Sequence, residues 1–469
     1  MSDDALNDFP QPVHFVGVGG AGMSGIAMVL HTLGVRVTGS DLKASRYTRL
    51  LDEAGVPVTV GHDAGNLGDA AVVVISSAIP ETNPEVHAAR AAGLPVLKRA
   101  EMLARVMRLR RGIAVAGTHG KTTTSSMISH VLRQCGLDPT FLVGGELNDI
   151  GSNAAVGQGE WLVAEADESD GSLLYLRPEI AVVANVELDH HANYASLDDV
   201  VEVFRRFVAL LPPDGLLVLV EETGGEGLAG HTQAEVVRVG LSSGDLRAEV
   251  ARVDDRGSEF AVVQGGEELA RVTLRVPGEH NVLNALTALA VLRRAGVSPA
   301  DAAPHLASFS GAARRYQELG RRDGVLVVDD YAHHPTEIAA TLTAARQGGH
   351  GRVIAIFQPH LFSRTRYLQR EFGRALTLAD EAIVTDIFPS REEPEPGVTG
   401  KLIVDAYLAE RPGGPVRYLP RLGDVVRYLA GRVGPGDLVL TLGAGDVFHA
   451  GEQLLAALGE QGEEGTRGE

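Results

Sequence analysis

Hydrophobic and polar positions divide the chain into three successive segments, each opening on a short apolar run that leads into a turn rich in glycine or acidic residues. In the first segment, VHFVGVGGAGMSGIAMVLHTLG (13–34) reads as an apolar strand, a glycine turn and an amphipathic helix. VRVTGSD (35–41) and AAVVVISSAI (70–79) follow as further strands. Strands that alternate with helices predict an α/β fold with a parallel sheet.

The second segment begins near Arg110 and contains the apolar runs GIAVAG, EWLVAEAD, IAVVANV and GLLVLV. Between 235 and 276 the apolar positions alternate with period two, which predicts a small antiparallel addition. The third segment opens with GVLVVDDYAHHP after FSGAARRYQELG (309–320) and repeats the strand–turn–helix series. At 469 residues, the chain is predicted to form three domains, 1–108, 109–309 and 310–469.

Composition narrows the class of protein. With 61 acidic against 42 basic residues, the net charge of −19 argues against binding to nucleic acid or to an anionic membrane. The single cysteine, Cys135, excludes an internal disulfide framework and a cysteine-based zinc site. The acidic N-terminal stretch lacks the apolar core of a signal peptide, and no run of 18 apolar residues is present. A cytoplasmic protein of undetermined oligomeric state is expected.

The first glycine turn matches the dinucleotide-binding pattern G-x-G-x-x-G. Gly17, Gly19 and Gly22 lie between a strand and a helix, and Asp41 follows at the end of the second strand. Backbone N–H groups at such a helix N-terminus bind a diphosphate. Three interpretations stay open: NAD, a nucleotide-sugar diphosphate, or glycines that only pack the helix on the strand.

The second glycine turn, GTHGKTTT (117–124), also follows a strand and opens a helix. It departs from the strict P-loop pattern, because position 115 is Val and the nearest glycine before Gly120 is Gly117. The mechanics still fit a nucleoside triphosphate: backbone N–H groups cradle phosphates, Lys121 reaches the terminal ones and Thr122 offers a hydroxyl to Mg²⁺. The run of threonines, which are poor helix formers, favours ligands and caps.

Two clusters of polar residues follow later strands of the same predicted sheet. EADESD (165–170) holds four carboxylates, and VELDHH (186–191) ends in Asp189, His190 and His191. The carboxyl ends of parallel strands share one edge, so both clusters are expected to converge on the second glycine turn. Carboxylate oxygens there suit Mg²⁺.

Eight motifs together resemble the Mur ligases over nearly the whole chain. In order from 14 to 366, they are HFVGVGGAGMSGIA, GTHGKTTT, EADESD, NVELDH, GEHNVLNALTA, FSGAARRY, DDYAHHPTE and FQPHLFSRTR. The resemblance implies a Rossmann-like N-terminal domain that binds a UDP-sugar and a central P-loop domain that binds ATP and Mg²⁺. It also implies a Rossmann-like C-terminal domain that closes over an amino acid.

The implied activity is ATP-dependent ligation of an amino acid to the lactyl carboxylate of UDP-N-acetylmuramate, through an acyl phosphate, in the synthesis of peptidoglycan precursors for the cell wall. The first glycine turn together with GTHGKT favours the members that add L-alanine, although glycine and serine differ too little to be excluded. A murein-tripeptide ligase is the family member most easily confused with them. An NAD-dependent oxidoreductase and an ATP-hydrolysing regulatory protein remain rivals outside the family, whereas the N-terminal glycine-turn domain argues against a folylpolyglutamate-synthase-like ligase.

Matching positions imply a set of site residues. For catalysis they are Lys121, Glu165, His190, Arg315 and His333. For ATP they are Gly117, Thr118, His119, Gly120, Lys121, Thr122, Thr123, Asn281, Asn284, Arg315 and Asp330. For the UDP-sugar they are Gly17, Gly19, Gly20, Ala21, Gly22, Ser24, Ser40, Asp41 and Ser76. For Mg²⁺ they are Thr122, Glu165 and His190, and for the acceptor His333 and Arg364, whose structural alternatives are a helix cap and a surface salt bridge.

One departure from the family concerns lysine. Several relatives carry a carbamylated lysine after the DH motif that helps to hold a second Mg²⁺. Here the region reads VEVFRRF, with Arg205 and Arg206, and no lysine occurs between Lys121 and Lys401. We therefore predict that a second metal relies on His190, water and substrate, or that an arginine replaces its charge.

Overall fold

The computed structural model describes residues 9–76, 78–191, 193–221, 223–254, 256–390 and 392–465, with side chains of the last helix to 459. Its strands are β1 (Val13–Val16), β2 (Val37–Asp41), β3 (Val58–Val60), β4 (Val72–Ile75), β5 (Val96–Lys98), β6 (Arg111–Ala116), β7 (Thr140–Leu147), β8 (Ser152–Ala155), β9 (Trp161–Glu165), β10 (Ile180–Val183), β11 (Leu216–Val220), β12 (Glu235–Gly240), β13 (Leu246–Asp254), β14 (Gly257–Gln264), β15 (Glu267–Leu274), β16 (Gln317–Arg322), β17 (Val325–Asp330), β18 (Arg352–Phe357), β19 (Glu381–Val384), β20 (Val416–Tyr418) and β21 (Asp437–Leu442). Its helices are α1 (Ala21–Thr32), α2 (Arg46–Glu53), α3 (Pro84–Ala91), α4 (Arg99–Met107), α5 (Lys121–Gln134), α6 (Leu197–Val208), α7 (Glu279–Arg294), α8 (Pro299–Ser308), α9 (Pro335–Gln347), α10 (Phe362–Leu376), α11 (Lys401–Glu410), α12 (Leu422–Ala430) and α13 (Phe448–Gly465).

The N-terminal sheet is parallel throughout, in the order β3-β2-β1-β4-β5. Strands β1 and β4 are buried along their whole length, which explains their continuous apolar sequence. The predicted strands β1, β2 and β4 and helix α1 are confirmed. The sequence missed β3 and β5, which have three residues each and lie half exposed at the sheet edges. The chain order reverses between β1 and β4, the position where α/β sheets bind ligands.

The central sheet has ten strands in the order β15-β14-β13-β12-β11-β10-β6-β9-β7-β8. Strand β6 lies between β9 and β10 and is parallel to both, so the turns that follow these three strands share one edge, as predicted. The antiparallel addition is confirmed for β13, β14 and β15. The antiparallel prediction is wrong for β12, which pairs parallel with both β11 and β13. Its burial increases along the strand and does not alternate between its two faces.

The C-terminal sheet runs in the order β16-β17-β21-β18-β19-β20, and only β16 is antiparallel to its neighbour. Strands β17 and β21 are buried at every position. The three sheets confirm an α/β chain of three successive units. The exact domain boundaries at 108 and 309 remain predictions.

The first two units share a hydrophobic core, and polar pairs join all three units. Between the first and second, Arg46 pairs with Glu146 at 2.7 Å and Arg99 with Asp167 at 3.3 Å. Between the second and third, Arg364 pairs with Asp189. None of the helices that the structure describes is long and apolar enough to cross a membrane.

Candidate active site

A cavity of about 610 Å³ lies where the three units of the protein meet. The predicted site residues that line it are Ala21, Gly22, Thr118, His119, Gly120, Lys121, Thr122, Glu165, His190, Arg315 and His333. All five residues predicted for catalysis are among them, although they come from positions spread over more than 200 residues of sequence. The topology brings them together because β6, β9 and β10 end at this edge.

The second glycine turn wraps the N-terminus of α5. Gly120 has φ +78°, and a Cβ built there would lie 2.8 Å from Asn284 Oδ1, so the turn requires glycine for both conformation and space. Asn284 also accepts a hydrogen bond from Thr124 and donates one to Asn281. The two asparagines are buried behind the turn and hold it in shape, rather than lining the cavity.

Lys121 is paired with Glu168 in the cavity. Its Nζ lies 3.0 Å from Glu168 Oε2 and also donates to the carbonyl oxygens of Gly117 and Thr118. Burial alone would lower the pKa of Lys121, but Glu168 and Asp167 outweigh that effect and raise it above its usual value. The ammonium group is therefore charged and held at the phosphate loop.

Oxygen donors suitable for a hard cation lie next to Lys121. Glu165 accepts hydrogen bonds from the Gly144 N–H and, at 3.3 Å, from Ser125 Oγ. His190, with φ +55°, places Nε2 3.6 Å from Glu168 Oε1. Glu165, Glu168 and Thr122 line the same cavity, and their oxygens form a donor set that fits Mg²⁺. His190 would be a less usual ligand for this ion.

A buried ion pair joins the second and third units. Arg364 donates two hydrogen bonds of 2.9 Å to the carboxylate of Asp189, and both side chains are less than 5 % exposed. Burial alone would raise the pKa of Asp189, but the Arg364 guanidinium holds it well below its usual range. The predicted alternative of a surface salt bridge for Arg364 is wrong, because this pair is buried.

A second set of contacts between the same two units centres on His119. Its Nδ1 lies 3.4 Å from Glu337, its Nε2 lies 3.6 Å from Glu187, and its ring packs 4.5 Å from that of His334. Burial would lower the pKa of His119, but Glu337 and Glu187 raise it to about 9. Thr336 donates a 2.7 Å hydrogen bond to Glu187 across the same boundary.

His333, Arg315 and Asp330 take different positions around the cavity. Burial lowers the pKa of His333 to about 3, so the imidazole is neutral, and its Nδ1 lies 2.9 Å from the Tyr331 carbonyl oxygen. It is His334, not His333, that caps α9. Arg315 lies 3.7 Å from Glu337 at the cavity wall.

The Asp330 carboxylate accepts backbone hydrogen bonds from Tyr316 and Ala332, at 2.9 and 2.7 Å. Burial raises the pKa of Asp330 to about 6. Asp330 was predicted to bind ATP, but its backbone hydrogen bonds fit a structural role in which it fixes the chain around the third sheet.

Asp41, the acidic residue that follows the first glycine turn, accepts a hydrogen bond from that turn. The Gly19 N–H donates to Asp41 at 2.8 Å, and a Cβ at Gly19 would lie 2.8 Å from the same oxygen. Ser24 donates to the Ala21 carbonyl. The Ser40 hydroxyl is fully buried and donates to Glu85, which does not fit the predicted contact with a ligand.

Ser76 lines a second cavity, of about 960 Å³, between the first and second units. Its basic lining residues are Lys98, Arg99, Arg177 and Arg206. Arg206 lines this second cavity and not that of Lys121, and Arg205 pairs with Glu202 on the surface. Within the described residues, neither arginine of VEVFRRF reaches the predicted metal ligands, which counts against an arginine replacing the carbamylated lysine.

The sequence did not predict roles for Glu168 and Glu337, or the pairing of Asp189 with Arg364. Each of these three residues lies in one of the quoted motifs, but each motif contains several carboxylates. Nothing in the letters EADESD shows that Glu168, rather than its neighbours, turns towards Lys121.

Comparison with known proteins defines the class. Models of three Mur ligase domains match the chain in order: the catalytic domain of the family over residues 12–111, the middle domain over 115–292 and the glutamate ligase domain over 314–445. With curated relatives 45–55 % identical over nearly the whole chain, this protein belongs to the Mur ligase family.

Within the family, similar relatives carry one name. The UDP-N-acetylmuramate–L-alanine ligase of Rubrobacter xylanophilus is 55 % identical over 95 % of this chain and 100 % of its own length. The enzyme of that name from Renibacterium salmoninarum is 47 % identical over 99 % of both chains. The crystal structure of the UDP-N-acetylmuramate–alanine ligase of Thermotoga maritima, 29 % identical, superposes with a TM-score of 0.81 over 96 % of this chain and 99 % of its own.

Proposed function

We propose that this protein ligates L-alanine to the lactyl carboxylate of UDP-N-acetylmuramate, with cleavage of ATP to ADP and phosphate. The observation that carries the proposal is the convergence of Lys121, Glu165, His190, Arg315 and His333 on one cavity between the three units. The relatives that share its full length and half of its residues are named for this reaction. Because ATP and a UDP-sugar are substrates, we place the reaction in the cytoplasm.

Each substrate has a place that its chemistry favours. The triphosphate lies on the N–H groups of GTHGKT, where Lys121 neutralises its terminal phosphates. The UDP-sugar lies along the first glycine turn, near the basic residues of the second cavity, with its lactyl carboxylate directed towards Lys121. The amino acid enters beside His333 and Arg364.

In the first step, the lactyl carboxylate attacks the γ-phosphate of ATP, which forms an acyl phosphate and releases ADP. The two reactants are both anions and repel each other. Lys121 and Arg315 offset the repulsion between the two anions. Thr122, Glu165 and His190 would hold Mg²⁺, which when bound supplies further neutralisation of the phosphates. The cavity walls orient the two reactants in line.

The second step, attack of the amine on the acyl carbon, requires an uncharged amine. His333 is neutral at pH 7 because burial lowers its pKa to about 3, so it can orient the amine by a hydrogen bond without repelling it. Arg364 would bind the amino-acid carboxylate, for which it would exchange its present partner Asp189.

Phosphate release from ATP tests the proposal directly. The assay contains Mg²⁺ and UDP-N-acetylmuramate, with L-alanine, glycine, L-serine or the murein tripeptide as acceptor. Release that requires both the sugar nucleotide and L-alanine supports the proposal, and the order of rates ranks the acceptors. Release that requires the tripeptide would assign the protein to murein-tripeptide ligation instead, and release that requires neither would leave an ATPase.

A further inference from the structure

A second cluster of ligating side chains lies beside the cavity, at the boundary between the second and third units. It consists of His119 from the phosphate turn, Glu187 after β10 and His334 at the start of α9, and one ligand atom of each lies within 4.8 Å of the other two. His119 Nε2 and His334 Nδ1 are both 3.6 Å from the same oxygen, Glu187 Oε2. His334 Nδ1 also accepts a long hydrogen bond of 3.4 Å from the Thr336 N–H, which a bound ion would replace. A tetrahedral zinc ion with bonds of about 2.0–2.2 Å sets its ligands roughly 3.3–3.6 Å apart.

The nitrogen of His119 that faces this point makes no hydrogen bond. Within the described part of the chain, His119 Nε2 is buried outside hydrogen-bond distance of any partner, and the carboxylate next to it is that of Glu187, at 3.6 Å. The other nitrogen of His119 lies 3.4 Å from Glu337, which is the carboxylate–histidine arrangement that orients metal ligands. Thr336 fixes Glu187 in the same way, by a 2.7 Å hydrogen bond.

We propose that His119, Glu187 and His334 bind a transition-metal dication of the zinc type, with water as the fourth ligand. Two imidazoles and one carboxylate are donors that suit zinc, whereas Mg²⁺ prefers an all-oxygen shell. The site is therefore chemically different from the donors around Thr122 and Glu165. At neutral pH, the ion would replace the proton that His119 shares with its two carboxylates.

The three ligands come from two different units of the protein. Two of them belong to the second unit and His334 belongs to the third, so the bound ion ties the two units together at the phosphate turn. Turnover requires such units to separate for the release of products. Zinc bound here therefore inhibits phosphate release, and a chelator restores it.

The test measures zinc binding to the full chain with zinc ions alone, by competition with a chromophoric chelator at pH 8. The variants are His334→Asn, which keeps a side chain able to cap α9, and Glu187→Gln, which keeps the acceptor for Thr336. His449→Gln is the matched control, at an exposed histidine that pairs with Glu452 and packs on Phe448, both within the third unit. We expect one zinc site that both variants weaken at least about 100-fold and the control leaves unchanged.

Cobalt provides a second readout, because four-coordinate Co²⁺ absorbs strongly in the visible range. The bands are expected in the wild-type protein and the control, and lost in His334→Asn. Zinc affinity unchanged in both variants, or no zinc binding by the wild type, would overturn the site. Equal inhibition of the wild type and His334→Asn by zinc would overturn its role in tying the units together. Neither result depends on which acceptor the enzyme uses.

Discussion

Glu168 is the residue whose importance emerges only from the structure. It is 2 % exposed and holds the ammonium group of Lys121 at 3.0 Å. Replacing it by Gln leaves a buried lysine without its countercharge, which is expected to destabilise the protein by about 3 kcal/mol. The displaced lysine is expected to lower kcat for phosphate release about 100-fold. Urea unfolding and steady-state kinetics measure the two effects.

A matched control for this substitution is Glu160→Gln, which removes an exposed partner of Arg111. Its effect on the free energy of unfolding is expected to stay within about 0.5 kcal/mol. Wild-type kcat in Glu168→Gln would show that Lys121 is positioned without this carboxylate.

Glu85 predicts a pH dependence of stability. Burial alone would raise its pKa, but hydrogen bonds from His14, Ser40, Asn66 and His62 lower it to about 2. Since this folded-state pKa lies below the usual 4.5, the carboxylate's stabilisation is complete above pH 4.5 and is lost as the pH falls towards 2.

Glu85→Gln is therefore expected to lower the free energy of unfolding by about 1–3 kcal/mol at pH 6. The difference from the wild type should shrink below pH 4.5 when both are unfolded with urea at a series of pH values. A difference that stays constant down to pH 3 would contradict the assignment, because it would mean that the charge is not what the network binds.

Several residues of the motifs line one cavity for a physical reason. Residues such as Lys121, Glu165 and His190 follow directly after buried strands, and parallel strands deliver such residues to one edge. The orientation of each side chain was beyond the sequence. Ser40 and Asp41 are adjacent in the chain, yet one faces the buried Glu85 and the other closes the Gly19 turn.

At the scale of the element, two glycines of α5 allow the effect of backbone strain to be measured separately from that of a steric clash. Gly120 and Gly136 lie at opposite ends of this helix with nearly equal φ, +78° and +77°. A Cβ at Gly120 meets Asn284 Oδ1 at 2.8 Å, whereas one at Gly136 has nothing within 4 Å.

Gly136→Ala is expected to cost about 1 kcal/mol, from backbone conformation alone. Gly120→Ala adds the collision and moves the N–H groups that cradle phosphate, so its KM for ATP should rise at least tenfold while that of Gly136→Ala stays unchanged. Kinetics with varied ATP and thermal unfolding of both variants provide the measurement. Equal KM values would show that the turn adapts to a side chain.

Strands whose residues are all buried were predicted from the sequence, and short strands with exposed residues were missed. Strand β1 has four buried apolar residues and was found, whereas β3 contains Val60, which is 60 % exposed, and was not. Strand β12 was included in the antiparallel segment 235–276 but continues the parallel sheet. Periodicity reports which faces are covered, and it does not report the direction of the neighbouring strand.

Across the whole molecule, the Arg364–Asp189 pair is a buried ion pair between the second and third units. Removing one partner leaves the other charged and buried, so Asp189→Asn should favour separation of the units, and Arg364→Gln in the same chain should partly restore contact. Small-angle scattering is expected to give a larger radius of gyration for the single variant than for the double variant.

Arg366→Gln is the control for this comparison, since Arg366 lies on the same helix but pairs with Glu395 within the third unit. Its radius of gyration should equal that of the wild type. Equal scattering from Asp189→Asn and the wild type would show that other contacts, such as Thr336 with Glu187, suffice to hold the units together.

The pairing of Lys121 with Glu168 can also be followed by chemical labelling of the lysines. Only four lysines exist, and Lys121 is the only one between Lys98 and Lys401. The other three, Lys43, Lys98 and Lys401, are exposed, so an acylating reagent blocks them first. A lysine-specific protease then cuts the unfolded chain only after an unmodified Lys121, into fragments 1–121 and 122–469. Because the amine stays protonated while Glu168 holds it, the fraction of chain left uncut measures how often this pair opens, with no nucleotide and no assay of turnover.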